Sequence, residues 1–94
     1  MKRYRIIFKG RVQGVGFRYQ IAEQAEIFHL GGTAQNLPNG DVEVFLEGEE
    51  KKIMQVITYF LHNPGYVYVE DYLLFEQPLN YDRSFTILYQ RNDT

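Results

Sequence analysis

Two periods alternate along the chain, and the points where one gives way to the other divide it into elements. Tyr4-Arg5-Ile6-Ile7-Phe8-Lys9 is rich in β-branched and aromatic residues and reads as a first strand. From Tyr19 to Leu30 the spacing turns helical, with Ile21, Ala25 and Phe28 on one stripe and Ala22 beside it. The pattern predicts a helix over about residues 18–30, ending at the Gly31-Gly32 pair, which suits a helix C-cap. Thr33 to Asn36 reads as a short second strand, and Pro38-Asn39-Gly40 as a hairpin turn. Asp41 to Glu47 alternates, with Val42, Val44 and Leu46 on one face and Glu43, Phe45 and Glu47 on the other. Gly48-Glu49-Glu50 opens a second helix running to about His62, with Ile53, Val56, Ile57, Phe60 and Leu61 as its buried stripe. Asn63-Pro64-Gly65 stops it. Tyr66 to Gln77 is a fourth strand with a bulge expected within Tyr72-Leu73-Leu74-Phe75. After a loop over Pro78–Arg83, Ser84 to Tyr89 forms a fifth strand, and Gln90 to Thr94 are expected to fray.

The order is β-α-β-β-α-β with an added C-terminal strand. That is an α+β, ferredoxin-like sandwich, an antiparallel sheet covered on one face by two helices. In this plan the first and second strands run the same way with the third between them. The loop after strand one and the end of strand two then share one edge of the sheet. They are separated by two strand spacings, roughly 10 Å.

Length and composition narrow the classes. The chain's 94 residues fit one domain over 1–94, and 45% hydrophobic residues with eight Tyr and seven Phe suffice for a core. There is no cysteine, which excludes disulfides, thiolate metal sites and cysteine nucleophiles. No apolar signal segment and no membrane-length apolar run is present, so a soluble cytoplasmic protein without a membrane partner is expected. The net charge of −2 conceals an asymmetry: six of the ten cations, Lys2, Arg3, Arg5, Lys9, Arg11 and Arg18, precede the first acid, Glu23. Arg3, Arg5 and Lys9 read as one solvated strand face, and Arg11 as a steering charge for anionic ligands. An acidic overall balance argues against a nucleic-acid partner.

That charge surrounds the stretch with most chemical content, Gly10-Arg11-Val12-Gln13-Gly14-Val15-Gly16-Phe17-Arg18. Its glycines permit positive φ and let a ligand approach the main chain. The loop delivers the backbone to a helix N-terminus, whose N–H groups lack intrahelical partners and sit at the positive end of the dipole. Strand, loop and helix start form an anion cradle, with Arg18 as a planar charged fork beside it. The alternative is a tight strand-to-helix turn that needs glycine for geometry alone. His29 and His62 lie near helix C-termini and read as structural. Glu49 and Glu50, and Glu70 and Asp71, are adjacent in sequence and point apart, which disfavours a carboxylate pair. Tyr89 and Phe85 read as core.

Gly10 to Arg18 resembles the first signature of the acylphosphatase family. Gly32-Thr33-Ala34-Gln35-Asn36-Leu37-Pro38-Asn39-Gly40-Asp41-Val42, continuing to Gly48, is similar to the second. The resemblance runs over nearly the whole chain. Thr33 is the departure, since an aromatic residue is usual there. The resemblance implies the same fold and metal-independent, cofactor-free hydrolysis of an acyl phosphate to a carboxylate and inorganic phosphate. Arg18 and the backbone N–H groups of Gln13, Gly14, Val15, Gly16 and Phe17 would bind the phosphoryl group. Asn36 would orient the attacking water. Implied partners are a small-molecule acyl phosphate, with inorganic phosphate as product and inhibitor, and the protein is expected to be a monomer. Two other readings compete. One is a non-catalytic ferredoxin-like module binding RNA or protein, although Asp41-Val42-Glu43-Val44-Phe45 lacks the basic and aromatic signature of RNA-binding sheets. The other is the acylphosphatase-like domain of a larger carbamoyl-transfer maturation protein.

Overall fold

A computed structural model describes residues 1–62 and 64–89; the expected helix stop at Asn63 and fraying of 90–94 lie outside the described residues. The elements are β1 (Lys2–Arg11), α1 (Phe17–Ile27), β2 (Gly31–Asn36), β3 (Val42–Gly48), α2 (Glu50–Leu61), β4 (Tyr68–Gln77) and β5 (Phe85–Leu88). They build an open five-stranded sheet in the order β4-β1-β3-β2-β5. This is the ferredoxin-like order with one strand added at the β2 edge.

The sheet is mixed, where the sequence pattern predicted an antiparallel one. β1, β2, β3 and β4 pair antiparallel, but β5 lies parallel to β2. The cause is the path of the preceding loop. β4 ends beside the start of β1, where Arg3 faces Gln77, and β2 starts at the same pole, where Gly31 faces Glu47. The segment 78–84 stays at that pole, crosses the ends of β1 and β3, and enters β5 in the direction of β2.

Glu47 holds that crossing. The strand alternation puts it on the face opposite Val44 and Leu46, away from the helices, yet it is wholly buried. Its carboxylate accepts from Arg3 Nη1 at 3.0 Å, from the Asn80 N–H at 2.9 Å and from the Tyr81 N–H at 2.7 Å. Arg3 Nη1 also reaches Asp82 at 2.9 Å. A buried carboxylate persists only where donors replace its lost water, and three do so here.

One face of the sheet meets both helices. Tyr4, Ile6, Phe8, Ala34, Val42, Val44, Leu46 and Val69 point inward and pack on Phe17, Ile21 and Ala25 of α1 and on Ile53, Val56, Ile57 and Phe60 of α2. Phe17 sits between the layers, edge-on to Phe8 at 5.0 Å and to Phe60 at 4.8 Å. Leu61, assigned to this stripe by spacing, is 40% exposed because α2 ends there. Tyr4 donates its hydroxyl to Glu50, and that hydrogen bond raises the phenol pKa above its ordinary value.

The other face is open but not a simple solvated row of cations. Arg5 Nε meets Glu43 at 2.7 Å, Lys9 meets Asp41 at 2.7 Å, and the Arg3 guanidinium lies 4.8 Å over Phe45. Two local expectations also change. The bulge in β4 falls at Glu70, between the pairs Lys9–Asp71 and Gly10–Val69, and not within Tyr72–Phe75. α1 is capped by His29 in the left-handed region (φ 58°), with the Leu30 N–H on the Ala25 carbonyl and the His29 N–H on the Glu26 carbonyl. Gly31 and Gly32 belong instead to β2. A Cβ on Gly32 would lie 1.8 Å from the Phe45 carbonyl oxygen, and one on Gly31 would lie 2.1 Å from that of Asp82.

Candidate active site

The segment between β1 and α1 descends from Arg11 through buried Val12 to Gly16, the N-cap of α1. Gly14 (φ 73°) and Gly16 (φ 76°) both take the left-handed conformation, and a Cβ at either would meet open space. Glycine is therefore required by backbone geometry and not by crowding. No side chain caps this helix, and its first turn carries no acid. A helix start with neither a side-chain cap nor an acid in its first turn is the arrangement expected of an anion cradle.

Gln13 shapes the loop with its side chain. Its Nε2 donates to the carbonyls of Leu37 and Asp41, each at 2.8 Å. The cradle is thereby fastened to the β2–β3 hairpin, whose turn closes through the Gly40 N–H on the Leu37 carbonyl at 3.1 Å. The residue before that turn is Asn36. It lies level with Val42, which on its other side pairs with Phe8, so β3 alone separates it from the strand feeding the loop.

A recess of about 200 Å³ opens between these parts, lined by Val12, Gly14, Gly16, Phe17, Arg18, Tyr19 and Asn36. Arg18 and Asn36, nominated from opposite halves of the motif, thus share one cavity. A larger recess of about 580 Å³ lies at the opposite pole, between α1 and the start of β5. It mixes Glu23 and Glu26 with His29 and Arg83 and contains no part of the glycine loop. An anionic group is better met by the smaller recess, which has donors and no carboxylate. No histidine, carboxylate, lysine or cysteine lines it, so the protein offers no conventional general base there.

Arg18 is braced from β5. Its Nη1 donates to the Leu88 carbonyl at 3.1 Å, and its guanidinium lies 4.8 Å over the ring of Tyr89. The hydroxyls of Tyr19 and Tyr89 are 3.0 Å apart. Tyr89 is 54% exposed and lies against Arg18, not in the core as its type suggested, whereas Phe85 does pack against the core. Nothing in local spacing reveals this brace, because its partners are about 70 residues apart and meet only through the parallel pairing of β5 with β2.

Comparison with known proteins now has a geometry to be read against. The acylphosphatase family model matches residues 4–87, which include the glycine loop, Arg18 and Asn36. The chain belongs to the acylphosphatase family. It is 39% identical to the acylphosphatase of Clostridium beijerinckii, over 95% of this chain and 100% of that one. The crystal structure of acylphosphatase from Bacillus subtilis superposes with a TM-score of 0.89 at 36% identity, covering 95% of this chain and 100% of that one. A likeness also extends to full-length HypF in its phosphate- and nucleotide-bound form, with a TM-score of 0.86 and 26% identity. There it covers 97% of this chain but 12% of that much longer one. Membership makes the chain a hydrolase of the acylphosphatase type and removes the reading as a non-catalytic binding module. Among the described residues no helix is long and apolar enough to cross a membrane.

Thr33, the departure from this acylphosphatase motif, lies on the open face with Gln35, while Ala34 is buried beneath the helices. It pairs with Phe45 of β3 and Thr86 of β5. An aromatic ring here would extend the Arg3–Phe45 stack and would not touch the recess. Thr33→Trp is expected to shift stability by about 1 kcal/mol and leave kcat within about two-fold of wild type. A denaturation midpoint and kcat from one preparation check both; a large fall in kcat at unchanged stability would place this position in the site.

Proposed function

We propose that the chain hydrolyses a small-molecule acyl phosphate without a metal or cofactor, with the glycine loop and Arg18 holding the phosphoryl group and Asn36 orienting water. The observation that carries this reading is the shared recess. A helix N-terminus without a side-chain cap, a braced guanidinium and a neutral amide converge on it, and no carboxylate, histidine or lysine lines it.

The chemistry asks for little more. Water oxygen forms a bond to phosphorus as the bond from phosphorus to the acyl oxygen breaks. The electron pair leaves with the carboxylate, which is stable as the anion and needs no general acid. The water proton passes to a phosphate oxygen. Charge spread over the phosphoryl oxygens in the transition state meets the N–H groups of Gln13, Gly14, Val15, Gly16 and Phe17 and the fork of Arg18. The cradle thus supplies fixed positive potential where other phosphoryl-transfer sites use a cation. Asn36, across β3, supplies a donor and an acceptor on one planar group, suited to fixing a water in line. Arg11, exposed at the end of β1 where the loop begins, adds to the field that draws the substrate in. Inorganic phosphate would occupy the same cradle and inhibit as product. In this reading residues 1–94 form one domain that acts in the cytoplasm.

Phosphate release from a model acyl phosphate in the presence of a chelator tests the activity directly; no release above the uncatalysed rate would sink it. Asn36→Ala tests the division of labour. Because the amide is assigned to water, kcat should fall by roughly 10²-fold while competitive inhibition by phosphate keeps a similar Ki. A variant that loses phosphate affinity and keeps kcat would reverse the two roles.

A further inference from the structure

The side chain of Gln13 does not line the recess, yet it ties together the two segments that do. Its Nε2 carries two hydrogens and directs both to the neck of the β2–β3 hairpin, at the Leu37 and Asp41 carbonyls. Those carbonyls already close the hairpin. The Leu37 N–H donates to the Asp41 carbonyl at 2.8 Å, and the Gly40 N–H donates to that of Leu37. Among the described residues, every hydrogen bond between the segment 12–16 and the turn 37–41 comes from this one nitrogen.

The turn is braced well enough to carry that grip to its neighbour. Asn39 Oδ1 accepts the Asp41 N–H at 3.0 Å, and Asn39 Nδ2 donates to the Asp41 carboxylate at 3.1 Å. Lys9 Nζ reaches the same carboxylate at 2.7 Å, which ties the turn to β1 upstream of the loop. Leu37, held at both its N–H and its carbonyl, directly follows Asn36 in the chain. The sheet fixes Asn36 relative to β1 through Val42 and Phe8, but the chain has left β1 at Arg11 before the cradle begins. Gln13 closes the remaining side.

We propose that Gln13 is a positioning residue whose carboxamide sets the spacing between the phosphoryl cradle and Asn36, and so the line from attacking water to phosphorus. This role rests on those proposed above for the cradle and for Asn36. A carboxamide presents two donors on one nitrogen without placing a charge beside the cradle. In-line attack depends steeply on position, and a displacement of about 1 Å costs on the order of 10²-fold. Loss of the tie therefore acts on the bond-making step and spares capture of the phosphoryl group. The cradle keeps its left-handed glycines, its buried Val12 and the start of α1.

Gln13→Met preserves the length of the side chain and removes both donors, while each carbonyl retains its backbone partner. Its kcat is expected to fall about ten-fold, with the Ki of inorganic phosphate within about two-fold of wild type. In the Asn36→Ala background the same substitution should cost less than about two-fold, because the group it misplaces is already gone. The side-chain amide resonance of Asn36 should shift in Gln13→Met, and the backbone amides of residues 13–17 should still respond to phosphate. Gln13→Asn, one methylene too short to span the gap, makes the same comparisons should Gln13→Met not fold. A kcat within about two-fold of wild type, an equal loss beside Asn36→Ala, a Ki that rises as kcat falls, or an unmoved Asn36 resonance would overturn the proposal. A wild-type chain that releases no phosphate fails the proposed function instead, and the Asn36 resonance then decides for Gln13 by itself.

Discussion

Arg18→Ala is expected to lower kcat/KM by at least 10²–10³-fold with little change in the denaturation midpoint. A preorganised donor aimed at developing charge contributes on that order, and a guanidinium offers two such donors at once. The fold loses little because Arg18 lies at the rim of the recess and not in the core, and its bond to the Leu88 carbonyl is exposed. Lysine should not rescue the activity. It keeps the charge but cannot hold the Leu88 carbonyl, lie over Tyr89 and still present a second N–H to a phosphoryl oxygen. The decisive comparison is steady-state kinetics on variants shown by circular dichroism to be folded. Activity of Arg18→Ala within a few-fold of wild type would remove this residue from the mechanism.

Glu47→Ala should lower stability by about 3 kcal/mol. The loss exceeds that of one hydrogen bond. Removing the carboxylate strands the N–H groups of Asn80 and Tyr81 and leaves Arg3, whose side chain is 11% exposed, with Asp82 alone. For a domain of this size the fall in Tm would be roughly 12–24 °C. Glu47→Gln keeps the shape and one acceptor and should cost about half as much. A further effect follows from topology. Glu47 anchors the loop that feeds β5, and the end of β5 and the residue after it carry the carbonyl and ring that brace Arg18. Activity measured well below the new Tm should therefore fall several-fold without any change at the recess. Thermal denaturation and kcat on the same variant check both; a Tm within a few degrees of wild type would show that the loop is held by something else.

These two residues mark what local sequence places and what it does not. The placing of Arg18 beside the glycine loop was legible because it is local: a strand period, three glycines and a helical period meet within nine residues, which sets a helix start beside a guanidinium. The nearness of Asn36 to that loop was legible one step further out, since element order puts the ends of strands one and two on the same edge. The helix stripes followed from periodicity, apart from Leu61, where the helix runs out. The inward faces of β1 and β3 did so as well.

The face of Glu47 followed from the same reasoning that placed Val44 and Leu46, but its burial did not. Alternation assigns a side chain to a face but does not know what covers that face. Here a loop arriving from residues 78–84 buries the carboxylate and satisfies it, a contact more than 30 residues away in sequence. The brace on Arg18 and the parallel entry of β5 share that origin, because both depend on which pole the chain leaves after β4. The bulge at Glu70 and the left-handed cap at His29 were local but degenerate: several nearby residues could absorb the extra residue or the positive φ. Tertiary packing chose among them, reserving Gly31 and Gly32 for the close approach of β2 to its neighbours. Local sequence thus determined the elements, their faces and the chemistry of the cradle. Tertiary structure alone decided the direction of the last strand and, through it, what holds the arginine in place.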